Sequence, residues 1–157
     1  MAAVNATNAI DLLREDHDKV RDLLSQLAST TNRAAKKRSD LLQKIKKELM
    51  IHTQIEEEIF YPAFRDSKAE ESKKLYHEAK EEHCAVEELV LPDVESTEPA
   101  SDDFAGRVKV LKDMIEHHAE EEENELFPKA KKALSKEELE ELGERMAERK
   151  QELEKEF

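Results

Sequence analysis

Four histidines and two glutamates recur in this chain at a constant offset of 66 residues, His17 with His83, His52 with His118 and Glu56 with Glu122. Their surroundings repeat with them. Glu15-Asp16-His17-Asp18-Lys19-Val20 is echoed by Glu81-Glu82-His83-Cys84-Ala85-Val86, and His52-x-x-x-Glu56 before Phe60-Tyr61-Pro62 is echoed by His118-x-x-x-Glu122 before Leu126-Phe127-Pro128. A neutral imidazole nitrogen and a carboxylate oxygen are ligands for iron, manganese or zinc. Residues four apart on an α-helix differ by about 40° in direction and about 6 Å along the axis, so each His-x-x-x-Glu pair converges. Six such groups in one core point to two metals, which facing helices share through bridging carboxylates. The bland alternative is a set of hydrogen-bonded core histidines with two surface glutamates. It requires all six to sit at matching depth with no cation, and a buried carboxylate without a cation or partner is expensive.

The elements that must position these groups are helices. The 157 residues include two Gly, four Pro and no Trp, and 41% of them are charged. Turn formers are scarce and Leu, Glu, Lys and Ala abound, which is helical composition, and the length suits one domain with its own core. A formal charge of −13 disfavours nucleic acid, whose phosphates are held by clustered Lys and Arg. One cysteine, Cys84, cannot form an internal disulfide, and Met1 to Leu13 carries neither the basic nor the apolar stretch of a secretory leader. No apolar run approaches the roughly 18 residues of a membrane span. The expectation is a soluble, reduced, cytoplasmic protein without a membrane partner.

Along the chain, Asn8 or Thr7 caps a first helix whose stripe is Ile10, Leu13, His17, Val20, Leu24 and Leu27, in alternating steps of three and four. After Ser29-Thr30-Thr31-Asn32, a longer second helix aligns Leu42, Ile45, Leu49, His52, Glu56 and Ile59. A junction around Asp66 to Ala69 leads to a third helix with Tyr76, Ala79, His83, Val86 and Val90, ending near Pro92. The stretch from Pro92 to Asp103 reads as the one obvious loop. The fourth helix carries Phe104, Val108, Leu111, Ile115, His118 and Glu122. Pro62 and Pro128 each follow the inward histidine by ten residues, so both long helices are expected to end or kink there. Ser135-Lys136-Glu137-Glu138 is a capping box opening a fifth helix, with Leu139, Leu142, Met146 and Leu153 spaced as the face of an outer brace or lid.

These motifs resemble the hemerythrin-like family, the HHE cation-binding domain. The resemblance rests on Ile10-Asp11-Leu12-Leu13 before Asp16-His17, on His52-x-x-x-Glu56-Glu57 before Phe60-Tyr61-Pro62, on Glu82-His83, and on His118-x-x-x-Glu122-Glu123 before Leu126-Phe127-Pro128. It covers about residues 8 to 130. It implies an all-α, up-down-up-down four-helix bundle over 1–134 with a C-terminal accessory helix over 135–157. It also implies a non-haem centre of two iron ions, carboxylate- and oxo-bridged, used in the family to bind oxygen, sense oxygen or redox state, handle iron, or react with peroxides and nitrogen oxides. Carried across, His17 and His52 hold one iron, His83 and His118 the other, and Glu56 and Glu122 bridge them.

The chain departs from the oxygen carriers, which supply a fifth histidine from the third helix, four residues from the first one there. Here those positions are Ala79 and Glu87. Ala79 cannot ligate, and Glu87, whose counterpart in the other repeat is Arg21, is read either as a ligand or as a surface carboxylate. His117 with Glu121 has the same spacing as His118 with Glu122; the repeat and the stripe through Ile115 select His118. The carriers' second carboxylate falls at the position of Glu123, which makes it the runner-up to Glu122. His77 lies on another face, and Cys84 is read as a small residue beside the core. The expected function is binding of, or reaction with, dioxygen, peroxide or nitric oxide, with peroxide consumption as the enzymatic form; the alternative is an iron or oxygen/redox sensor or iron-holding protein. Oligomeric state is left open, with a monomer sufficient.

Overall fold

The computed structural model describes residues 8–157, and every regular element among them is helical. Five helices follow one another: α1 (Ala9–Ala28), α2 (35–65), α3 (72–95), α4 (102–133) and α5 (Lys136–Glu156). Their starts follow from capping chemistry. The Asn8 side chain accepts from the Asp11 N–H at 3.0 Å, the Ser101 hydroxyl from Phe104 N–H at 3.1 Å, and Ser135 and Glu138 complete the reciprocal capping box that opens α5. Thr7, the other candidate cap for α1, lies outside the described residues.

The prolines do not end the helices. A proline in a helix interior lacks an N–H and crowds the carbonyl four residues back. Here each is preceded by one wide π turn, Glu56–Phe60 before Pro62, Val86–Val90 before Pro92 and Glu122–Leu126 before Pro128. Within them the N–H groups of Tyr61, Leu91 and Phe127 bond to the carbonyls five residues back, of Glu56, Val86 and Glu122. The extra residue absorbs the proline and the helix continues. Of the two alternatives at Pro62 and Pro128, an end is overturned, since α2 and α4 pass through them, and α3 runs to Glu95, which shortens the expected loop before α4 to 96–101.

Helix α1 packs on α2 and α4, α3 packs on α2 and α4, and α5 lies across α1 and α2. Two apolar clusters result. One gathers Ile10, Leu13, Ile51, Ile55, Phe60, Tyr61, Phe64 and Phe127 together with Leu139, Leu142, Met146 and Leu153 of α5. The other gathers Val20, Leu24, Leu27, Leu42, Ile45, Leu49, Val86, Val108, Leu111 and Ile115. Each buried aliphatic or phenyl side chain contributes about 1.5–3 kcal/mol, enough to carry a polar layer between the clusters. Helix α5 approaches α1 closely at Gly143, where a Cβ would meet the backbone carbonyl carbon of Asn8 at 2.7 Å. No described helix is long and apolar enough to cross a membrane.

Candidate metal centre

The polar layer consists of the six residues of the repeat. His17, His52, His83, Glu56 and Glu122 are buried, and the His118 side chain is 12% exposed. Glu56 Oε1 lies 3.1 Å from His52 Nε2 and 3.2 Å from His83 Nε2. Glu122 Oε1 lies 3.1 Å from His17 Nε2 and 3.3 Å from His118 Nε2. Each carboxylate therefore faces one histidine from each repeat. Two overlapping groups have all their ligand atoms within 4.8 Å of one another, His17 with His52, Glu56 and Glu122, and Glu56 with His83 and His118.

A second set of carboxylates holds the far side of every imidazole. Asp16 on α1 reaches His52 Nδ1 on α2 at 3.0 Å, and Glu57 on α2 reaches His83 Nδ1 on α3 at 2.9 Å. Glu82 on α3 reaches His118 Nδ1 on α4 at 2.7 Å, and Glu123 on α4 reaches His17 Nδ1 on α1 at 2.7 Å. The four helices thus each hand one carboxylate to the next, around a closed ring. Such a partner fixes the tautomer, aims the ring and raises the basicity of the inward nitrogen. Sequence reasoning did not assign these roles, although Asp16/Glu82 and Glu57/Glu123 recur at the same offset of 66 as the residues they support. Glu123, the runner-up for the inner position, stands on the Nδ1 side of His17, and Glu122 takes the Nε2 side.

A neutral imidazole that donates Nδ1–H outward to its carboxylate turns its Nε2 lone pair inward. Both oxygens of Glu56 and the Nε2 of His52 are buried without an aligned hydrogen-bond partner. Against this stands the hydroxyl of buried Tyr61, which donates to Glu122 Oε2 at 2.9 Å and lies 3.2 Å from His83 Nε2 and 3.4 Å from His118 Nε2. A layer so rich in acceptors is short of positive charge, and unpaired buried carboxylate is costly. Proton affinities show the same deficit. Burial pulls His118 down, but Glu122 and Glu82 push its pKa up to about 10. Burial likewise opposes ionisation of His52, and Glu56 and Asp16 still hold it well above the ordinary range. Protons gather where a cation would displace them, and the donor set of imidazole nitrogen and carboxylate oxygen fits iron.

The remaining candidates fall outside this layer. Glu87 accepts the Thr53 hydroxyl at 2.5 Å, and Ala79 is packed in the apolar cluster. His117, 65% exposed, sits 3.1 Å from Glu121 on the surface. His77 is exposed against the ring of Tyr76. The Cys84 thiol accepts the influence of Glu88 and its pKa rises, the reverse of an activated thiolate. Beside the layer is a cavity of about 40 Å³ lined by the four histidines and by Val20, Leu49, Val86, Ile115 and Ala119, among others.

Helices converging on paired histidine and glutamate clusters that can hold a cation define a helical metal-binding class. The chain belongs to the Hemerythrin HHE cation binding domain family, which matches residues 8–130. A Hemerythrin HHE cation binding domain-containing protein of Mycobacterium kansasii has the same fold in its crystal structure, with a TM-score of 0.83 and 29% identity over 94% of this chain and 88% of that one. A protein of Nostoc sp. (strain PCC 7120) named DNA nickase is 31% identical over 134 residues, 85% of this chain and 36% of the Nostoc protein. The chain thus spans little more than a third of that relative.

Proposed function

We propose that the chain is a cytoplasmic non-haem di-iron protein that binds or reacts with dioxygen, peroxide or nitric oxide. In this reading His17 and His52 hold one iron, His83 and His118 the other, and Glu56 and Glu122 bridge them. The up-down-up-down bundle domain is drawn over 1–134, described from residue 8 on, and the accessory helix over 135–157. The observation that carries it is the pair of unpartnered, fully buried Glu56 oxygens between histidines of both repeats. Bound there, two irons supply redox and Lewis-acid chemistry.

The chain's own groups define what happens around that chemistry. The ring of Asp16, Glu57, Glu82 and Glu123 keeps four imidazoles aimed inward before any ligand arrives, so little reorganisation is needed on binding. Tyr61 holds a hydroxyl proton beside His83 and His118, where a small ligand at that side would accept it. Neither position four residues from His83 supplies the carriers' extra histidine: Ala79 has no donor atom, and Glu87 accepts the Thr53 hydroxyl. The cavity of about 40 Å³ beside the histidines has room for a small molecule or small anion and none for a large one. The charge of −13 and the enclosed site favour a small-molecule ligand over nucleic acid, so the nicking activity named for the longer relative forms no part of this reading.

Iron-loaded protein should contain close to two irons per chain, show a ferric charge-transfer band that responds to azide, and consume peroxide faster than the metal-free protein. His118→Ala should lose iron or its spectrum, and His117→Ala should leave both in place. Equal loss in both variants would overturn the assignment of the fourth helix. One observation favours the sensing alternative: Lys150 of α5 pairs with Asp16, which holds His52, so the fifth helix touches the site through one residue. Hydrogen exchange in α5 that differs between iron-loaded and metal-free protein, in a chain that turns over no peroxide, would select that reading.

A further inference from the structure

Resting on the two-metal reading above, we propose that the two positions exchange metal unequally. The His83–His118 position loads and releases first, and the His17–His52 position retains its metal.

An imidazole that swings away from a metal also strains or breaks its bond to the carboxylate on its far side, so a firmly held carboxylate retards its departure. In the first position that carboxylate is itself held. Glu123 binds His17 and receives both Nη atoms of Arg21, at 3.0 and 3.2 Å, and Arg21 Nε is anchored in turn on Glu116 at 2.9 Å. Asp16 binds His52 through one oxygen and Lys150 through the other, and its side chain is 5% exposed. Two-point arginine–carboxylate pairing and charge-assisted bonds are the strong, geometry-fixing kind. The positive charges of Arg21 and Lys150 are matched by the carboxylates they hold, so what they add is restraint.

In the second position the supports are loose. The Glu57 side chain is 35% exposed and that of Glu82 is 27% exposed. Among the described residues, neither forms an ion pair with a lysine or arginine. The second oxygen of Glu82 faces the surface residue His117, at 3.5 Å, and Glu121 lies beside both. Water can replace either carboxylate's bond to its histidine as that histidine swings away. The repeat explains the difference. The counterpart of Arg21 is Glu87, which cannot clamp a carboxylate and accepts the Thr53 hydroxyl instead. The counterpart of Asp16 is Glu82, but Lys150 of α5, which lies across α1 and α2, pairs with Asp16.

The test is release of iron(II) from fully loaded protein to a chromophoric chelator without oxygen. The expected course is two phases of equal amplitude, with rates separated roughly 10–100-fold, the usual weight of such supporting contacts. Crystals of wild-type protein stopped between the phases should show anomalous scattering beside His17 and His52 and none beside His83 and His118. Arg21→Met or Lys150→Met should hasten the slow phase alone, and Glu57→Gln the fast phase alone. Two irons released in a single phase, or residual metal beside His83 and His118, would overturn the inference and leave the two-metal reading standing. Saturation at one iron per chain would overturn that reading and the inference with it.

Discussion

The two sides of the polar layer are built differently. On the α5 side, aromatic rings close on the histidines: Phe127 stacks on His17 with ring centres 5.8 Å apart, Tyr61 on His83 at 5.3 Å, and Phe60 meets Phe127 edge-on at 5.8 Å. On the other side Val20, Leu49, Val86 and Ile115 meet the same layer and leave a cavity of about 40 Å³, more than the roughly 10–15 Å³ a water needs. The contrast separates two tasks. Dense rings hold the geometry of the ligands, and the aliphatic side chains leave a space in which a small molecule can reach them.

The contrast breaks most severely if the packed side is hollowed. Phe127→Ala should cost about 3–5 kcal/mol in urea denaturation of the metal-free protein and should also weaken iron binding, because His17 loses its stacking partner. A variant with unchanged stability would mean the rings are not what fixes the layer. Filling the hollow side is the next largest change. Ala119→Leu should cost about 1–3 kcal/mol in stability, keep both irons, and slow nitric oxide or azide binding at least about tenfold, the effect of some 1.4 kcal/mol at the barrier. Binding at the wild-type rate would place the ligand route elsewhere.

Tyr61→Phe sharpens the comparison, since it makes the two repeats alike at this position. Removing the hydroxyl leaves Glu122 Oε2 short of a donor, at about 1–3 kcal/mol. Iron content should persist while peroxide consumption falls and the spectrum of a bound small anion shifts. Identical chemistry in Tyr61→Phe would remove the hydroxyl from the account. The gentlest perturbation is pH. Burial lowers the His118 pKa, but Glu122 and Glu82 raise it to about 10 in the folded protein, against about 6.5 unfolded. Its contribution to stability is therefore complete below about pH 6.5 and is lost as pH rises through about 10. Metal-free protein should lose stability across that window, and iron-loaded protein should not, because its histidines are already deprotonated. Parallel pH profiles would contradict the displacement of protons by metal.

The inner six were legible because each appears twice at one offset and interrupts an apolar stripe, a pattern few surface residues satisfy. Their supporting ring was not, because Asp16, Glu57, Glu82 and Glu123 look like four among 39 acidic residues until the helices are packed. Each acts on a histidine of a neighbouring helix, which no periodicity along one helix reveals. Lys150 is hidden for the same reason, lying 134 residues from Asp16 on a helix whose spacing reads only as a brace. The prolines misled in a different way. Local sequence carries the clash of Pro62, Pro92 and Pro128 with the preceding turn, whereas the wide π turn that accommodates each is seen only in the backbone hydrogen bonds.

Iron-edge anomalous diffraction from crystals of the fully loaded wild-type protein tests the central claim most directly. The account predicts two iron peaks per chain, one reached by His17 and His52 and the other by His83 and His118, with Glu56 and Glu122 reaching both. A single peak, or iron held by His117, Glu87 or Glu123 in place of these residues, would contradict it.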